Sequence, residues 1–216
     1  AQASGSGDTV AVVVSDTDGL SVSLIQSLYS AFGTGITERE TGILLHNRGA
    51  CFSTAEASVN SLVPGARPAH SLMPVLVERD GALEIVAGTM GGLGQPQIHT
   101  HLALRILGLS EPLDFAMNAP RWILDPPPSD GGAWQFAAES GVPAEVISAL
   151  AADGFEQRAA SDFEDTFGHA QVVQHVGREL RASSDPRADG VARVFALEGA
   201  DSSDGTKNVH RDMEAD

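Results

Sequence analysis

Two short acidic-glycine turns constrain this chain more than any other feature. "TVAVVVS" (9–15) and "LSVSLIQ" (20–26) flank "DTDG". Gly19 accepts the positive φ that a tight hairpin demands, so the spacing predicts two antiparallel strands joined by that turn. The pattern returns in "LMPVLVE" (72–78) and "ALEIVAG" (82–88), on either side of "RDG". These two hairpins are expected at the centre of an antiparallel sheet. A threonine opening the first strand is ordinarily a β-branched residue that packs well on a pleated surface.

Helices are fewer. "QIHTHLALRIL" (97–107) sets Ile98, Leu102 and Ile106 at helical spacing, directly after the loop "GTMGGLGQP". Residues 143–152 make a second helix, with Pro143 in its first turn and Gly154 beyond its end. Further strands are expected at 134–138, 170–176 and 190–196. Residues 198–216, polar and without periodicity, read as a disordered acidic tail, and residues 1–8, "AQASGSGD", as a small-residue leader.

Composition excludes several classes. A chain of 216 residues with 42% apolar content fits one folded domain. No run approaches the roughly 18 apolar residues of a membrane span. A formal charge of -16 argues against nucleic acid or an anionic membrane as partner, because phosphate would be repelled. The single cysteine, Cys51, leaves no internal disulfide and no thiolate-rich metal site. His99 and His101 fall on different faces of the predicted helix, and no HExxH or Cys/His cluster offers a better set, so no metal and no cofactor are expected. The opening residues lack a basic start and an apolar run. The chain is thus expected either to stay in the cytoplasm or to be a piece of a secreted or periplasmic protein whose signal lies elsewhere.

Glycine-bearing stretches admit two readings. "FGTGI" (32–36) and "MGGLGQ" (90–95) lack the Lys-Ser/Thr of a P-loop, and the second lacks dinucleotide spacing. The adjacent Gly91 and Gly92, at a strand-to-helix junction, are either a tight turn that needs glycine or a pair of backbone N–H groups able to stabilise an oxyanion. A Gly-x-Ser-x-Gly elbow is missing, which removes the usual α/β-hydrolase nucleophile.

Taken together, "TVAVVVSDTDGLSVSLIQS" (9–27), "FGTGI" (32–36), "TGILLHNRGACFS" (41–53), "RPAHSLMPVLV" (67–77), "GTMGGLGQPQ" (88–97), "NAPRW" (118–122) and "SDPRADGVA" (184–192) resemble the small subunit of the γ-glutamyltransferases, in order and spacing. The resemblance runs from residue 9 to about residue 196, so 9–197 is expected to form the small-subunit unit. It implies an α+β fold, the αββα sandwich of the N-terminal-nucleophile hydrolases, with two antiparallel sheets between helical layers. It also implies a large subunit from the same precursor, supplying an arginine and much of the pocket wall, and an apolar face uncovered where that subunit belongs.

In that family a precursor cleaves itself before a threonine. Aligned so, the Asp8–Thr9 bond is the processing site and Thr9 the nucleophile. A threonine hydroxyl is a weak nucleophile at neutral pH, and a freed α-amine on the same residue, titrating near about pH 8, can act as its base. Ser27 falls where the family keeps a threonine that hydrogen-bonds the nucleophile, and Gly91 and Gly92 fall on its oxyanion pair. Tyr29, Arg48, Cys51, His70 and Ser71 occupy positions where glutathione-cleaving members hold the substrate with Asn, Gln, Asp and two Ser, and only Ser71 is kept. Losing the Asp removes the anion that pairs with a substrate ammonium, and Arg48 adds a cation that repels one. Arg48 is suited to a carboxylate, or else belongs to a structural ion pair. This pattern resembles the divergent branch that includes cephalosporin acylases, acting on a γ-glutamyl or glutaryl-type small-molecule amide. The alternative is an unprocessed or inactive fragment that only binds or plays a structural part.

Overall fold

The computed structural model describes residues 9–127 and 131–195. Asp8, the rest of the leader, residue 196 of the strand expected at 190–196, and the tail at 198–216 lie outside the described residues.

The first hairpin forms as its sequence dictates. β1 (Thr9–Ser15) and β2 (Ser21–Ser27) pair antiparallel in one unbroken register, Thr9 opposite Ser27 and Ser15 opposite Ser21. At the turn, the Asp16 carboxylate accepts the N–H groups of Asp18 (3.0 Å) and Leu20 (2.8 Å), and Gly19 takes φ 93°. Leu20 is therefore consumed by the turn, and β2 starts one residue later than expected.

β3 (Val75–Arg79) and β4 (Ala82–Met90) make the second hairpin. Asp80 and Gly81 both have positive φ, 53° and 79°, the two-residue geometry that matches strand twist. β3 begins later than the expected residue 72 because Met73 is engaged elsewhere: its N–H goes to Gln95 Oε1 (3.0 Å) and its carbonyl meets His99 Nε2 (3.1 Å). Pro74 also has no N–H to offer β4.

α1 (Gln95–Ala103) follows at once, with Pro96 in its first turn, and widens into a π-helical turn over Leu104–Gly108. Ile98, Leu102 and Ile106 are buried along one stripe, as their spacing predicts. Then come α2 (Leu113–Asn118), β5 (Trp122–Asp125), β6 (Gln135–Ala138), α3 (Ala144–Ala152) and β7 (Glu156–Gln157). β8 (His169–Val176) and β9 (Glu179–Ser184) complete the order. Pro143 caps α3 rather than standing inside it, and Gly154 ends it at φ 90°.

The two predicted hairpins do not share a sheet. β1–β2 stands alone, whereas the second sheet has the order β3-β4-β8-β9, and a third runs β5-β6-β7. The first two sheets stack face to face. Ser23 Oγ donates to the Ala87 carbonyl at 2.8 Å, and His175 Nε2 meets Ser15 Oγ at 3.1 Å across the gap. Gly88 permits this approach, since a Cβ there would sit 3.2 Å from Ala11 Cβ and 3.3 Å from Ser23 Oγ. On its far side the second sheet buries Ile85 and Ala87 against Ile98, Leu102 and Ile106 of α1. β4 is thus buried on both faces, which explains its continuous apolar run. The layering is that of the expected α+β sandwich, with a helix on one outer side and the β1–β2 hairpin on the other.

The strand expected at 190–196 is not formed over 191–195. β9, which the sequence reading did not anticipate, takes the edge position beside β8. The "SDPR" turn then leads the chain away, with Asp185 N–H on the Ala170 carbonyl at 2.9 Å. The same turn closes a buried ion network. Asp185 accepts Arg121 Nη1 at 2.6 Å and Arg187 Nη1 at 3.1 Å, and Arg187 also pairs with Glu139. Both arginines cap carbonyls as well, Arg121 that of Phe167 (2.9 Å) and Arg187 that of Ala119 (3.0 Å). This is the structural use of the "NAPRW" and "SDPRADG" motifs, whose roles were not legible in sequence. Charges so deeply buried persist only because each is paired and hydrogen-bonded.

Candidate active site

The hairpin register sets the site. It places Thr9, first residue of β1, opposite Ser27, last residue of β2, with both side chains on the inner face, and Thr9 Oγ1 lies within hydrogen-bond distance of Ser27 Oγ, at 2.8 Å. β2 then ends in a sharp bend at Tyr29, whose φ of 77° is unusual for an aromatic residue. Asn47 holds the bend: its Oδ1 accepts Ser30 N–H (3.0 Å) and its N–H reaches the Leu28 carbonyl (3.1 Å). That clasp brings the single-turn helix Arg48–Cys51 beside Ser27.

Arg48 is only 9% exposed. Its Nη2 donates to Ser27 Oγ at 3.1 Å, and its guanidinium lies 4.8 Å over the Tyr29 ring. A hydrogen bond with Cys51 pushes the Tyr29 phenol above its ordinary range, aided by the Cys51 charge and burial and opposed by Arg48. Five expected site residues, Thr9, Ser27, Tyr29, Arg48 and Cys51, are therefore in one contiguous cluster. Among the described residues Arg48 is held by Ser27 and the Tyr29 ring, and no carboxylate pairs with it.

Gly91 and Gly92 lie where β4 ends, with φ 153° and 51°. A Cβ at Gly91 would meet Ile98 Cδ1 at 2.5 Å, so glycine is required there for packing as well as for backbone shape. Ser15 contacts His175 at one end of the stacked sheets and Ala11 sits on Gly88 further along. That alignment directs the C-terminal end of β4 toward the Thr9–Ser27 end of the hairpin. His70 is exposed and Ser71 half-buried, and no hydrogen bond joins either to Thr9, Ser27 or Arg48 among the described residues.

Sequence reasoning missed Asn47 and Gln95. Gln95 is 1% exposed and anchors Met73, two residues after Ser71. A glutamine buried that deeply gives no periodic signal, although it stands in the quoted "GQPQ". The two histidines are committed to packing: His99 to the Met73 carbonyl, and His101 to Trp122, with ring centroids 5.0 Å apart. Burial pushes His101 down to about 4.

Comparisons with known proteins agree with this architecture. An oxamate amidohydrolase proenzyme of Klebsiella pneumoniae is 37% identical over 198 residues, covering 88% of this chain and 36% of that protein. A glutathione hydrolase-like YwrD proenzyme of Bacillus subtilis is 38% identical over 192 residues, covering 86% of this chain and 35% of that protein. The chain thus spans about a third of the length of these relatives. Among solved structures, a cephalosporin acylase from Bacillus halodurans superposes with a TM-score of 0.74 at 29% identity, covering 87% of this chain and 34% of that one. A gamma-glutamyltranspeptidase from Pseudomonas nitroreducens, complexed with L-DON, gives 0.72 at 25% identity, covering 86% of this chain and 99% of that one. The sequence profile described as Gamma-glutamyltranspeptidase matches residues 1–195, and this chain belongs to that family.

Proposed function

We propose that this chain is the nucleophile-bearing part of an amidohydrolase or acyltransferase that works through an acyl-enzyme on Thr9. The observation that carries this reading is the 2.8 Å contact between Thr9 Oγ1 and Ser27 Oγ at the first residue of β1. A nucleophile there becomes a chain terminus once the bond before it is cut.

In processing, Thr9 Oγ1 attacks the Asp8 carbonyl carbon; the C–N bond breaks as the Oγ1–C bond forms, and the hydroxyl proton ends on the Thr9 nitrogen. Water then hydrolyses the ester, restoring the hydroxyl and leaving a free α-amine. In turnover that amine takes the hydroxyl proton while Oγ1 attacks the substrate amide carbon. The displaced π pair rests on the carbonyl oxygen, which Gly91 and Gly92 N–H groups stabilise, and the proton passes to the departing amine. Water or an acceptor amine releases the acyl group by the same steps in reverse. The large subunit of the precursor completes the pocket.

The substrate class follows from charge. A γ-glutamyl group carries an ammonium, and its burial near Arg48 without a compensating carboxylate costs about 1–3 kcal/mol or more. A glutaryl-type acyl group has only the carboxylate, which suits Arg48. The name of the Klebsiella relative points the same way, because oxamate is a carboxylate-bearing amide with no ammonium.

Release of p-nitroaniline by the processed two-subunit protein tests this. Glutaryl-p-nitroanilide should match or exceed γ-glutamyl-p-nitroanilide in kcat/KM, with little transfer to dipeptide acceptors, and Thr9→Ala should release nothing. A tenfold preference for the γ-glutamyl compound, about 1.4 kcal/mol in the transition state, would refute the substrate assignment.

A further inference from the structure

Ser27 Oγ is offered more hydrogen bonds than it can accept. Thr9 Oγ1 lies at 2.8 Å, Arg48 Nη2 at 3.1 Å and the Tyr29 N–H at 3.0 Å, all aimed at this one oxygen. A hydroxyl oxygen has two lone pairs, so three donors cannot all be met at once. The two N–H groups have no other role to exchange: an amide nitrogen and a guanidinium only donate. Either hydroxyl, by contrast, can turn. Rotating the two O–H bonds would remove the conflict, with Ser27 donating to Thr9 Oγ1 and the Thr9 hydrogen turned away.

The surroundings hold Arg48 and Tyr29 in place as donors. Tyr29 keeps its N–H on Ser27 at the cost of φ 77°, a conformation that a bulky residue retains only when its environment enforces it. Arg48 is nearly buried and stacked on the Tyr29 ring, so its fork has little freedom to leave.

We propose that Arg48 is a positioning residue that acts through Ser27: by occupying one lone pair of Ser27 Oγ, beside the Tyr29 N–H on the other, it fixes the Ser27 hydroxyl as a donor to Thr9 Oγ1 and frees the Thr9 proton to leave. As Oγ1 attacks, its proton goes to the Thr9 α-amine and the Ser27 proton stays on Ser27, hydrogen-bonded to the oxygen gaining a bond. The Arg48 cation polarises that Ser27 O–H, strengthening the bond as charge develops. This inference rests on Thr9 as nucleophile but is independent of any contact between Arg48 and a substrate carboxylate.

The experiment separates the two roles with an activated ester that carries no distal charge, p-nitrophenyl butyrate, applied to the processed two-subunit protein. Acylation is read by p-nitrophenol release and by the mass of the Thr9-bearing chain after acid quench. Arg48→Met, which removes the donor, should lower kcat about tenfold with KM nearly unchanged, the loss expected for one charge-assisted hydrogen bond. Arg48→Lys, which restores a cationic donor, should recover most of it. Arg48→Gln, which keeps an N–H but no charge, should fall between, and serves if the Met variant does not fold. Wild-type kcat in Arg48→Met or Arg48→Gln, or a loss confined to KM, would overturn the positioning role and leave the acyl-enzyme reading standing. A wild-type adduct that maps away from Thr9 would overturn both.

Discussion

The two faces of the central sheets differ sharply. On the inner side, β4 is buried on both faces, α1 seals the second sheet, and the Arg121–Asp185–Arg187–Glu139 network ties α2, β6, β8 and β9 with its charges paired. On the outer side, β1–β2 turns Val10, Val12, Val14, Val22 and Leu24 outward, each 47–59% exposed, while smaller Ala11, Ser21 and Ser23 face inward. A contiguous apolar sheet face is a surface that expects a cover. The closed region is finished by this chain's own residues; the open region carries Thr9 and Ser27 at its end and leaves its outer apolar face exposed. The paired charge network and the proposed reacting pair thus lie in different regions: the first in the closed half, the second at the rim of the open one.

Breaking the closed region should have the larger effect. Asp185→Ala leaves Arg121 and Arg187 without their shared carboxylate in the interior, and should cost about 3–5 kcal/mol in urea unfolding of the full-length protein. A change below 1 kcal/mol would mean the network is not what holds this half together.

The open region gives a smaller and more discriminating test. Val12→Thr is nearly isosteric and adds one hydroxyl on the outward face. If the rest of the precursor covers that face, as the family resemblance implies, the full-length protein should lose about 1–2 kcal/mol for burying an unpaired hydroxyl. A face left in water would give a change within about 0.5 kcal/mol, the usual range for surface substitutions.

How much was legible in the sequence follows the same division. The hairpins around Asp16–Gly19 and Asp80–Gly81 were readable because turn chemistry and alternation agree locally. That they stack rather than share a sheet was not, since stacking depends on the missing side chain of Gly88, a tertiary fact. "ELRASS" escaped because its burial does not alternate, and apolar residues after 190 suggested a strand, whereas it is β9 that takes the place beside β8. At the site, the opposition of Thr9 and Ser27 follows directly from the hairpin register. The clustering of Tyr29, Arg48 and Cys51 rests on the Asn47 clasp and a left-handed Tyr29, neither of which has a periodic signature, and entered only through resemblance to a family.

The most direct measurement is the intact mass of the full-length protein after expression, for the wild type and for Thr9→Ala. If Thr9 is the nucleophile, the wild type separates into two chains and the smaller begins at Thr9, while Thr9→Ala remains a single uncut chain with the same thermal unfolding. A wild type that stays uncut, or a Thr9→Ala variant that is cut at the same bond, would contradict the account.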